Sequence, residues 1–180
     1  MDLRKQRTQK NIIDAFMNLR AKKRLEKITV TELSQLAMIN KATFYQHYKD
    51  IYDLSDQLEK KAIQEILASL PHPEYFITNP KQNAIELAQA VSSQSEQIDI
   101  LFGDERKSVL IERLESEIKE GVKRKFPHYI DSVEKDMMLT VLIQGTFHAY
   151  YSYADQNEDY VMNVLGNISE CLLNNYKVIN

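Results

Sequence analysis

Apolar residues recur along this chain at the three-to-four spacing of helices, and nowhere alternate as a half-buried strand does. Ile12, Phe16 and Leu19, with Ile13 and Ala15 beside them, predict a first helix over residues 4–22. After a polar stretch, Thr29 stands three residues before Glu32, the spacing of a capping box in which each side chain satisfies a backbone N–H of the other residue. A second, short helix therefore starts at Val30, with Leu33, Leu36 and Ala37 as its apolar face. Met38-Ile39-Asn40 breaks that pattern, and Asn40 is a good N-cap for a third helix over 41–48. Asp50 and Asp53 mark a fourth, which runs through Leu54, Leu58, Ile63, Ile66 and Leu70 until Pro71 and Pro73 end it.

Pro80 precedes a helical segment over 81–101 that carries Ile85, Ala88, Val91 and Ile98. Asp104 caps the next helix, where Leu110, Leu114, Ile118, Val122 and Phe126 recur every four residues up to Pro127. The last two patterns, 131–153 and 158–176, are the most apolar of the chain and predict a buried or shared interface. The expected fold is all-α. A three-helix helix-turn-helix domain occupies 1–50 and a helical bundle 51–180, with the fourth helix, about 51–70, connecting the two.

Composition acts mainly by exclusion. The 180 residues are 43% hydrophobic, enough to bury a core and too apolar for disorder. Gly103, Gly121, Gly145 and Gly166 all lie beyond residue 100, so the first part has no glycine turn for a phosphate loop, and no G-x-S-x-G or Walker pattern occurs. None of His47, His72, His128 and His148 has Glu three residues before it or His four away, which removes the usual helical metal pairs. The single Cys171 excludes an intrachain disulfide and points to a reducing cytoplasm. No run approaches the roughly 20 apolar residues of a membrane span. No apolar signal region follows the basic N-terminus. The expectation is a protein without cofactor, metal, membrane partner or catalytic activity.

Charge divides the chain. Residues 1–49 hold 11 Lys/Arg against 4 Asp/Glu, and residues 50–180 hold 12 against 22, a polyanion-binding head on an acidic body. At about 100° per residue, Phe44 and Tyr48 fall on the inward side of the third helix. Ala42, Thr43 and Gln46 then point outward, with Tyr45 and His47 at the flanks. Those outward groups match base edges: Gln can be bidentate to adenine, Thr and Ala can touch a thymine methyl, and Lys41 can reach guanine or phosphate. Tyr45 adds a phenol for phosphate and a ring for the sugar.

Thr29-Val30-Thr31-Glu32-Leu33, then Ala37-Met38-Ile39-Asn40-Lys41-Ala42-Thr43-Phe44-Tyr45-Gln46-His47-Tyr48-Lys49 and Leu54, resemble the DNA-binding head of the TetR/AcrR transcriptional regulators. The likeness covers roughly residues 8 to 58 and is most specific from Thr43 to Tyr48. It implies an all-α homodimer, usually a repressor, on an inverted-repeat DNA operator, released when a small-molecule effector binds the body. It carries DNA contacts onto Thr29, Thr31, Lys41, Thr43, Tyr45 and His47, with Lys5, Arg7, Lys10 and Lys49 on phosphates. Met38 and Ala42 stand where the family commonly has glycine, and Ile51 where it often has a phosphate-binding lysine, part of whose role then shifts to Lys49.

For the body, Val161, Val164, Leu165, Ile168, Leu172 and Leu173 are expected at the dimer interface, with Gly166 permitting close approach. Met138, Gln144, Phe147, His148, Tyr150 and Tyr151 are the candidate effector residues. Two alternatives stay open: a DNA-binding adaptor whose body reads a partner protein, and, more remotely, a small helical enzyme.

Overall fold

The structure is a computed structural model that describes residues 3–72, 74–128, 132–153 and 155–179. Pro73 and Asp131, read above as a helix stop and a helix start, lie outside those residues. Helix makes up 81% of the structure, and the described residues include no strand. In chain order the helices are α1 (Leu3–Arg20), α2 (Val30–Leu36), α3 (Lys41–Tyr45), α4 (Ile51–Ala68) and α5 (Tyr75–Thr78). They continue with α6 (Pro80–Ser92), α7 (Ser95–Leu101), α8 (Lys107–Lys125), α9 (Val133–Tyr153) and α10 (Glu158–Ile179). The chain forms two compact units, Met1–Ala62 with Glu96–Asp104, and Ile63–Ser95 with Glu105–Asn180.

In the first unit α1 buries Ile12, Ala15, Phe16 and Leu19, the expected stripe. Thr29 Oγ1 accepts a hydrogen bond from the Glu32 N–H at 3.2 Å and so caps α2. The other half of the box is absent. The Glu32 carboxylate turns instead to Lys23 Nζ at 2.6 Å, because a charged donor within reach outcompetes a backbone amide. Leu33 and Ala37, one turn apart, face the core, whereas Leu36 lies about 100° round from Ala37. It is 47% exposed, contrary to the expected apolar face.

The α2 end is a Schellman turn, with Ile39 N–H donating to Ser34 O (3.0 Å) and Met38 N–H to Gln35 O (3.2 Å). Asn40 then caps α3 through its side-chain oxygen, which accepts from Thr43 N–H at 2.7 Å. The helix stops at Tyr45, earlier than expected. His47 N–H donates to Phe44 O three residues back while Tyr48 N–H also reaches Phe44 O, so the last turn tightens. Asp50 and Asp53 open α4 as expected: Asp50 Oδ1 accepts from Asp53 N–H and Asp53 Oδ2 from Lys49 N–H, both at 2.8 Å.

In the second unit Pro80 takes the first position of α6, and the Asn79 side chain accepts from Gln82 N–H at 3.2 Å. The single segment expected over 81–101 is two helices. Ser93 Oγ donates to Ala90 O at 2.8 Å, a local bond that ends α6, and α7 begins two residues on. Asp104 opens a 3-10 turn, its side chain lying outside those described, and Arg106 precedes α8 without a side-chain cap. Leu110, Leu114, Ile118 and Val122 are buried as the four-residue spacing predicts. Ala88, Tyr150, Val161, Met162 and Leu165 form one apolar cluster. Gly166 serves that packing. A Cβ there would stand 2.9 Å from Lys81 Cγ and 3.1 Å from Lys81 O, so the glycine lets α10 lie on α6 within one chain. Among the described residues no helix is long and apolar enough to cross a membrane.

Candidate nucleic-acid interface

The inward side of α3 fixes its outward side. Phe44 and Tyr48 are buried, their ring centroids 5.8 Å apart. Tyr45 packs edge-on against Phe44 at 5.5 Å and is 57% exposed. Ala42 and Gln46 are exposed, and Thr43 and His47 are half-buried. The orientation read from the helical angle is therefore the one the structure has.

A concavity of about 650 Å³ brings part of the expected site together. Thr43, Gln46 and His47 of the α3 segment line it on one side, Lys5 and Arg7 of α1 on the other. Among the described residues no carboxylate lines it. Thr29, Thr31, Lys10, Lys41, Ala42, Tyr45 and Lys49 are exposed but stand outside this concavity. Ile51 is buried, so it offers no phosphate contact, and the exposed Lys49 is the neighbouring cation.

Two details refine the chemistry. Thr43 Oγ1 donates to Asn40 Oδ1 at 2.9 Å, which leaves its methyl and lone pairs, rather than its proton, to an incoming group. Burial, and secondly the charge of Lys5, holds the His47 imidazole below its ordinary pKa. Both causes favour the neutral ring.

Arg4, Thr8, Asn11, Met38 and Asn40 also line the concavity and were not expected there. The signal existed for three of them. Arg4, Thr8 and Asn11 follow one another at one-turn spacing, a polar stripe on α1 that is as regular as its apolar one.

Among the described residues, the candidate effector residues of α9 line no common pocket. Gln144 Nε2 donates to Glu115 Oε2 at 2.7 Å. Lys119 Nζ meets Glu115 Oε1 at 2.8 Å and Asp136 Oδ1 at 2.9 Å, completing a polar seam between α8 and α9. Burial alone would raise the Glu115 pKa, but the bonds from Lys119, Gln144 and Thr140 outweigh it and hold the carboxyl below its usual range. His148 is exposed, while Met138 and Tyr151 are half-buried. Tyr150 Oη donates to Glu158 at 2.7 Å, and burial, then that carboxylate, pushes the phenol up to about 12. Phe147 borders a hole of only about 40 Å³, far below the ~300 Å³ lower end of small-molecule sites.

A larger cleft of about 380 Å³ lies elsewhere in the second unit, with Leu67, Leu70, Phe76 and Phe126 as apolar walls and Arg124, Lys125 and Glu117 as its charged groups. Gly121 lines it too, and a Cβ there would have no neighbour within 4 Å.

Of the six residues expected at a dimer interface, Val161, Leu165 and Leu173 are buried within their own chain. Val164 is half-buried, and Ile168 and Leu172 are exposed, joined by Tyr160 in a stripe of four-residue steps on α10. Helix α9, which packs on α10, carries a matching exposed stripe of Val133, Met137 and Val141. Gly145 continues it one turn on, with nothing within 4 Å of where its Cβ would be.

Compared with protein-family models, curated proteins and solved structures, the chain matches none.

Proposed function

We propose that this chain is a sequence-specific DNA-binding regulator of the TetR/AcrR type, in which α2 and α3 form a helix-turn-helix and α3 enters the major groove. The observation that carries the reading is the concavity, without a carboxylate among the described residues, shared by the outward side of α3 and the basic start of α1. A surface that joins Gln46 and the Thr43 methyl to Lys5 and Arg7 combines base readout with phosphate positioning, the two separable parts of DNA recognition.

The regulator acts as a homodimer. A second copy covers the paired stripes of α9 and α10, and Gly145 lets two helices cross closely, which explains a mid-helix glycine that costs about 1 kcal/mol against alanine. Two third helices are then held on an inverted repeat, about 34–36 Å apart. The effector site is the cleft beside Gly121, where apolar walls and the Arg124 guanidinium suit an apolar molecule with a carboxylate, Lys125 being paired with Glu74 at 2.9 Å. Occupancy that favours a differently spaced dimer releases the DNA.

Salt titration tests the reading. Each phosphate that the protein ceases to neutralise makes the negative slope of log affinity against log salt shallower by about 0.9. Lys41→Ala and Tyr45→Phe together weaken operator affinity and flatten that slope. Unchanged affinity and slope in the double variant overturn the assignment of α3 to DNA.

A further inference from the structure

Met38 is the one non-glycine residue with positive φ among those described, at 55°. It holds the position just past the end of α2 in the Schellman turn, where glycine is usual because a side chain there crowds its own backbone. The side chain does not enter the core to offset that strain. It is 91% exposed, more than any other large apolar residue among those described. Strained residues cluster at functional contacts, and this one has no packing role that offsets its cost.

The surroundings indicate what that is. Met38 borders the basic concavity beside Thr43 and Gln46, and it also borders a shallower hollow with Asp14, Asn18 and Leu36. The first surface holds cations, amides and hydroxyls and no carboxylate among the described residues, a setting for a polyanion rather than for an apolar protein face. An unbranched, polarizable thioether at its edge is suited to a methyl group presented among polar base edges. We propose that Met38 contacts the DNA, laying its side chain on a thymine methyl at the edge of the bases faced by α3. This rests on the DNA-binding reading, and adds a specificity residue that the reading does not require.

The probe is the duplex that the wild-type protein enriches from a random-sequence pool. Melting and binding are measured for wild type, Met38→Gly and Met38→Leu, with deoxyuridine replacing each thymine of the duplex in turn. Met38→Gly is expected to melt about 2–4 °C higher as the strain is relieved, yet to bind about fivefold more weakly. One deoxyuridine replacement weakens wild type about threefold to fivefold and leaves Met38→Gly unaffected, while Met38→Leu keeps both affinity and the methyl effect. Equal affinity of Met38→Gly and wild type, or identical deoxyuridine losses in both, overturns the proposal while leaving the DNA-binding reading intact. If wild type enriches no sequence, both fall together.

Discussion

His47 shows what a single side chain contributes at this surface. Burial and the nearby Lys5 favour its neutral form in the free protein, whereas a DNA phosphate beside it would favour the imidazolium. Binding then takes up a proton between the lowered free pKa and the higher bound one, so operator affinity rises as pH falls through that interval. His47→Gln flattens that profile, and a pH dependence identical in variant and wild type contradicts the placement of His47 on DNA. At this scale much was legible: Phe44 and Tyr48 could be placed inward because two large rings one turn apart leave a helix a single way to face its core. Glu32 was not. Its partner, Lys23, lies in a stretch without periodicity, where spacing carries no information about what comes within reach.

Among the elements, the long amphipathic helices were readable and the breaks were not. The stripe of α8 survives intact from Leu110 to Val122 because repeated four-residue spacing admits only one buried face. The stop at Ser93 depends on one hydroxyl choosing a carbonyl, and α5 is a single short turn, features too local for a periodic signal. The polar groups of α9 were unreadable for a related reason: an apolar helix with polar groups resembles a pocket wall, yet Gln144 is bound in the Glu115 seam. Gly121 gives the alternative site its test. Gly121→Leu improves helix propensity by roughly 0.8 kcal/mol while filling the cleft. The variant should melt no lower than wild type and bind DNA equally well. Octanoate or benzoate should raise the melting temperature of wild type alone. Equal shifts in both proteins place the effector elsewhere.

For the whole molecule, the division into a basic N-terminal part and an acidic remainder was visible in charge alone. That residues 96–104 join the first compact unit was not, since Ile98, Leu101 and Phe102 look like any other apolar helix residues until the chain has folded. The outward face of α10 was half legible. A helix as apolar as α10 has residues for two surfaces, and the pattern does not say that Leu165 and Leu173 are buried in the chain itself while Ile168 and Leu172 face outward.

The most direct measurement is the selection of bound duplexes from random sequence by wild type and by Ile168→Glu, with the mass of each protein–DNA complex determined. The account predicts that wild type, as a dimer, enriches an inverted repeat whose half-site centres lie about one helical turn apart. Ile168→Glu stays folded, is monomeric at micromolar concentration and loses the two-fold symmetry of its target. Recovery of no enriched sequence by wild type, or of an asymmetric one bound by a monomer, would contradict it.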